Sequence, residues 1–172
     1  MGNILTVRSQ LRHSRLGLLP SRRTKPTVSV DYIVGLTDGE GCFYTLVRPP
    51  FNKNGGALVQ LNFFIKVQEQ DKDLLDKVCN TLGCGAVYFQ PEIRANHSQC
   101  YRYTVNTHHA ILGVIIPFFL KHPLQSVSKR RNFDLFCKIA KLVEQGTHHT
   151  KEGVDQIRLL KSQMNLRTRV AR

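Results

Sequence analysis

From Leu58 to Gln68 the chain alternates: Leu61, Phe63, Ile65 and Val67 point one way, and Gln60, Asn62, Phe64, Lys66 and Gln68 the other. A period of two over this length predicts a strand that is dry on one face and wet on the other. Cys42–Val47, Gly85–Gln90 and Gln99–Val105 read as further strands, separated by a Pro- and Gly-containing turn at Arg48–Gly56 and a polar turn at Pro91–Ser98. Elsewhere the period is helical. Val30–Leu36 is an apolar segment with Asp31 as its N-cap, expected to break at Asp38-Gly39-Glu40-Gly41. Asp71–Leu82 places Leu74, Leu75, Val78 and Leu82 on one face, with Gly83 at the C-terminal position. Thr107 precedes a helix carrying Ile111, Val114, Ile115, Phe118 and Phe119, kinked at Pro117. A longer helix, Ser128–Gln145, turns Phe133, Phe136, Cys137 and Ala140 inward and stops at Gly146, and Thr150–Met164 forms the last.

This order contains a duplicated α-β-β unit. It predicts an α+β fold, a four-stranded antiparallel sheet with the helices packed on one face. The other face is then polar and uncovered.

Composition adds a partner class. The 172 residues suffice for one domain, and 41% hydrophobic residues make it globular rather than disordered. No apolar run approaches the roughly 20 residues needed to span a bilayer. Lys and Arg number 25 against 12 Asp and Glu, a net charge of +13, which points to a polyanion. Much of that charge lies at the ends: Arg8, Arg12, Arg15, Arg22, Arg23 and Lys25 before the core, and Arg167, Arg169 and Arg172 after it. Residues 31–164 carry only a small positive excess, so a nucleic-acid surface there must come from sorting charges onto one face. Residues 1–27 form a basic extension compatible with a transit peptide, a phosphate-binding arm or an unselected leader. Residues 28–165 form the domain and 166–172 a basic tail. Five scattered cysteines, Cys42, Cys79, Cys84, Cys100 and Cys137, argue against a disulfide scaffold and for a reducing compartment, which an organelle and bacterial cytoplasm both provide. The pairs His108-His109 and His148-His149 lack partnering cysteines, so zinc is not favoured.

The stretch richest in chemistry is Ile33-Val34-Gly35-Leu36-Thr37-Asp38-Gly39-Glu40-Gly41-Cys42-Phe43. Gly35 and Gly39 lie i, i+4, a spacing that lets two helix backbones approach closely. Asp38 and Glu40 bring two carboxylates to the foot of that helix, suited to a hard divalent cation. A helix, turn and strand with solvated acids is the competing reading.

This segment resembles the LAGLIDADG motif of homing endonucleases, with Gly35, Asp38, Gly39 and Gly41 in place and Phe43 following. The resemblance extends through FFIKVQEQDKDLLDKVCNTLGCGAVYF, YRYTVNTHHAILGVIIPFFLKHPLQS and LLKSQMN, covering residues 28–165. It implies an αββαββα saddle that cleaves a long double-stranded DNA site using Mg²⁺ or Mn²⁺. Glu40 stands where many members have Asp and keeps the oxygen ligand. One motif copy implies a homodimer through the motif helices, with Gly35, Asp38 and Gly39 at the interface and a near-palindromic target. The resemblance assigns metal binding to Glu40 and to the Gly41 carbonyl. It gives Asp38 a helix-end or dimer role, with metal ligation as the alternative. Gln68, or else Gln70, orders water, and Lys129, flanked by Arg130 and Arg131, faces the scissile phosphate. DNA readout falls to the open sheet face: Tyr44 and Arg48, then Gln60, Asn62 and Lys66, then Tyr88 and Gln90, then Arg102 and Thr104, with Arg130 beside them. Phe64 is out of character on this face; a contact to a thymine methyl or a different register there would account for it. Competing readings are a non-cleaving nucleic-acid binder on the same fold, an intron RNA maturase or a DNA-binding regulator, and a small basic structural protein.

Overall fold

The computed structural model describes residues 25–49, 57–93 and 97–164, so the basic extension before residue 25 and the tail after 164 lie outside the described residues. Four antiparallel strands, β1 (Gly41–Arg48), β2 (Leu58–Gln68), β3 (Ala86–Gln90) and β4 (Cys100–Val105), form one sheet in the order β1-β2-β4-β3. Helix α1 (Val30–Glu40) leads into β1, and α2 (Lys72–Leu82) follows β2 after a single 3₁₀ turn. Helix α3 covers residues 108–121, α4 is Val127–Glu144 and α5 is Lys151–Ser162. The expected αββαββα order is therefore present, followed by two further helices.

The inward positions of the sheet are Phe43, Leu61, Phe63, Ile65, Tyr103 and Val105, all essentially inaccessible. They meet Ile33, Leu75, Val78, Ile111, Ile115, Phe119 and Phe136 from the helices in one core, so the helices occupy a single face. Phe43 is at its centre, its ring centroid 5.2 Å from Phe63, 5.5 Å from Phe119, 5.1 Å from Phe133 and 5.4 Å from Phe136. These contacts anchor the α1–β1 junction three residues beyond Glu40. Among the described residues no helix is long and apolar enough to cross a membrane.

Several boundaries move from the sequence reading. The N-cap of α1 is Ser29, not Asp31; its hydroxyl accepts from the Tyr32 N–H at 3.2 Å. The helix also does not stop at Asp38. It runs through Gly39 and Glu40, because burial of Ile33, Val34 and Thr37 outweighs the ~1 kcal/mol cost of each helical glycine. Gly41 ends it, donating its N–H to the Thr37 carbonyl. A side chain at Gly41 would meet Thr37 Cγ2 at 2.5 Å and the Thr37 carbonyl oxygen at 2.7 Å, so glycine is required there by close approach. At Pro117 the helix widens instead of simply kinking. Ile111–Ile115 form a π-helical turn just before Ile116–Lys121, which accommodates the missing proline N–H. In α4, Leu135, Ile139 and Val143 are buried beside Phe133, Phe136 and Ala140, whereas Cys137 is only half-buried. The apolar face is broad because α4 packs on both β1 and α5.

Candidate active site and nucleic-acid interface

Helix α1 ends with two carboxylates and no basic residue in its last turn, where the helix dipole is already negative. The two acids have different fates. Asp38 accepts from the Gln125 N–H at 2.8 Å and from the Ser126 N–H at 3.2 Å. Ser126 is the N-cap of α4 and makes no side-chain cap of its own, so Asp38 caps that helix from across the fold. This is the helix-end role, one of the two expected for Asp38. Glu40 stays exposed, its carboxylate at the mouth of a cleft.

The cleft has a volume of about 620 Å³ and is lined by Glu40, Tyr32 and Leu36 from α1, by Lys66, Val67 and Gln68 from the end of β2, and by Asp71, Leu74 and Cys100. Gln68, not Gln70, lines it beside Glu40. Gln68 owes its position to the strand's alternation: it is the last outward residue of β2, paired with Cys100.

Lys129 comes from the first turn of α4, and its ammonium donates to the Gly41 carbonyl. A lysine on the last carbonyls of a helix offsets the negative end of the dipole. Asp38 and Lys129 thus tie the start of α4 to the foot of α1 from both sides. The Cys42 thiol beside them is pushed up by burial, while Lys129 and Arg102 nearby pull it the other way. Gly35 and Gly39 are exposed on the outer side of α1, and among the described residues a Cβ on either meets nothing within 4 Å. Among the described residues no group of three or more His, Cys, Asp and Glu side chains is gathered in metal-binding geometry.

The register brings the expected contact residues onto one surface. Tyr44 faces Asn62 and Arg48 faces Leu58 across β1 and β2. Lys66, Arg102 and Tyr88 form a row over three strands, as do Gln68, Cys100 and Gln90, while Thr104 is level with Phe64. Gln60, Asn62, Thr104 and Gln90 are half-buried, whereas Tyr44, Arg48 and Tyr88 are exposed. Arg130 is exposed on α4, one residue past Lys129.

Three partners were not legible in the sequence. Lys66 pairs with Glu92 at 3.5 Å, a contact across 26 residues from a turn. Lys161 of α5 reaches over the Tyr44 ring, 5.5 Å from its centroid, adding a cation to the edge of the surface. Arg102 stacks on Phe64, 4.3 Å from the ring centroid, which accounts for an aromatic residue on this face. The alternation placed Phe64 here, but only the register supplies its partner.

The LAGLIDADG endonuclease family model matches residues 33–140, and the chain belongs to this family. It is 30% identical over 129 residues to Probable intron-encoded endonuclease 3 of Neurospora crassa, covering 75% of this chain and 23% of that protein. Probable intron-encoded endonuclease 2 of the same organism is 30% identical over 127 residues, covering 73% and 27%. The chain thus spans about a quarter of the length of these curated relatives. The crystal structure of the homing endonuclease I-TnaI matches with TM-score 0.69 and 34% identity over 81% of this chain and 90% of that one. I-SmaMI bound to uncleaved DNA target in the presence of calcium ions matches with TM-score 0.71 and 29% identity, over 80% of this chain and 45% of that one.

Proposed function

We propose that the chain is a homing endonuclease whose two copies bind a long, near-palindromic double-stranded DNA site and hydrolyse one phosphodiester in each strand. The observation that carries this reading is the junction of α1 and β1, where an exposed Glu40 and the Lys129 ammonium on the Gly41 carbonyl border the open sheet face. A homodimer is supported by the single motif and by the unpartnered Gly35–Gly39 stripe on α1. Two copies related by a twofold axis along this stripe would bring two Glu40 residues together, one for each strand.

Glu40 and the Gly41 carbonyl are hard oxygen donors at the negative end of a helix, which fits Mg²⁺ or Mn²⁺. When bound, such an ion would neutralise charge on the phosphate and favour a deprotonated water. Among the described residues Glu40 is the carboxylate at the foot of the helix and Asp71 lines the same cleft; further ligands would come from the second copy, water and the DNA itself. Gln68 can hold a water by its amide beside Glu40 in the cleft. Lys129 is already aligned by α4 and, turning from the Gly41 carbonyl, meets charge developing on the phosphate. The sheet surface positions the DNA: one seven-residue strand spans roughly 23 Å. The intron-encoded names of the Neurospora crassa relatives support an intron origin.

The test is digestion of a plasmid library carrying a randomised insert, in Mg²⁺ and in EDTA, with sequencing of the cleaved ends. One recurrent cleaved sequence, lost in EDTA, is expected. Binding of a recurrent sequence without cleavage would support a DNA-binding regulator, and preference for structured intron RNA a maturase.

A further inference from the structure

We infer that Phe64 is a positioning residue for Arg102, holding its guanidinium to read one guanine in each half of the DNA site. This rests on the DNA-binding reading above and adds a residue-level specificity to it.

Phe64 lies on the outward face of β2, away from the core cluster, directly opposite Cys42 on one side and Thr104 on the other. It is half-buried there and stands outside the core. Its contact is Arg102, whose guanidinium carbon lies 4.3 Å from the ring centroid. The Arg102 Nε is buried without a hydrogen-bond partner, and no carboxylate among the described residues pairs with this side chain. Its neighbour in the same row differs. The Lys66 ammonium is 3.5 Å from the Glu92 carboxylate, and Glu92 is itself held by two hydrogen bonds with the Gln99 side chain, at 3.1 and 3.3 Å. Of the two cations in the row, one is already paired within the subunit and the other is held by an aromatic face that satisfies none of its donors.

Stacking on a ring restrains a long side chain yet leaves its N–H edge free. Arginine then loses less conformational freedom on binding. A planar guanidinium fork presents two fixed N–H groups to the O6 and N7 acceptors of guanine in the major groove, where a lysine offers only a flexible point charge. Cys42 follows Gly41 directly, so the Phe64–Arg102 pair lies one residue from the carbonyl that Lys129 contacts. The guanine it reads is therefore near the scissile bonds rather than at the outer ends of the site.

The experiment is selection of a randomised duplex library on full-length wild-type protein, Phe64→Leu, Phe64→Tyr and Arg102→Lys, with sequencing of the bound fraction. Thermal melting checks that each variant folds. Wild type is expected to select guanine at one position in each half-site. Phe64→Leu and Arg102→Lys weaken that preference on the order of tenfold and leave other positions unchanged, while Phe64→Tyr retains it. A uniform loss across all positions, with a shallower salt dependence, would make Arg102 a phosphate contact and overturn the inference. So would an unaltered profile in Phe64→Leu. If wild type enriches no sequence at all, the DNA-binding reading itself falls, and this inference with it.

Discussion

Asp38 and Ser126, 88 residues apart in the chain, are joined where the carboxylate of one accepts the backbone N–H of the other at 3.2 Å. The end of the motif helix thereby caps the helix that carries Lys129. Two elements of the candidate active site are held in register by the Asp38 carboxylate.

Asp38→Ala should lower stability by about 1–2 kcal/mol, because two N–H groups at the start of α4 lose their acceptor. Asp38→Asn keeps one acceptor oxygen and should fall between. Urea denaturation reads the difference. The same series should slow DNA cleavage in the same order, since Lys129 follows the cap by three residues. An unchanged urea midpoint for Asp38→Ala would remove the capping role.

Gly35→Leu should separate the proposed dimer and leave the subunit folded. A Cβ at exposed Gly35 meets nothing within 4 Å among the described residues, so the subunit has room for a side chain there. Against a second helix backbone it is not. Sedimentation is expected to shift from dimer to monomer at an unchanged melting temperature. A wild-type monomer active on duplex DNA would contradict the homodimer.

Alkaline pH should destabilise the fold. Burial pushes the Cys137 thiol up to about 12 from 9.0. It also raises the Tyr103 phenol, whose hydroxyl donates to the Cys84 carbonyl at 2.8 Å. Above about pH 9 the unfolded chain releases protons that the folded chain retains. Stability is therefore full below that pH and falls as pH rises through the alkaline range. Each group contributes at most about 1.4 kcal/mol per pH unit. Tyr103→Phe should cost about 1 kcal/mol at pH 7 through the lost hydrogen bond. It should also flatten the decline above pH 10. Denaturation midpoints across pH 7 to about 11 check both the sign and the flattening.

The alternation of Leu58–Gln68 was enough to place one wet and one dry face, because a strand buried on one side leaves little freedom of register. All nine residues expected on the open sheet surface lie there. The foot of α1 was harder. Gly39 and Gly41 read as breakers, but only Gly41 ends the helix, since Val34 and Thr37 bury their side chains and carry the helix past Gly39. Local propensity yields to tertiary burial at such points. The pairings Asp38–Ser126, Lys66–Glu92 and Phe64–Arg102 join residues distant in sequence. They depend on the sheet order and on how the start of α4 packs against the foot of α1, neither of which any local pattern encodes.

The most direct measurement compares wild type with Glu40→Gln on the DNA site selected from the library, in Mg²⁺ and in EDTA. Glutamine preserves the shape of the side chain and removes the charge that would hold a hard cation. Cleavage should disappear in the variant, while binding affinity for the same site stays within a few-fold because the sheet contacts are untouched. Glu40→Gln protein that still nicks this site in Mg²⁺ near the wild-type rate would contradict the assignment of Glu40 as the catalytic carboxylate.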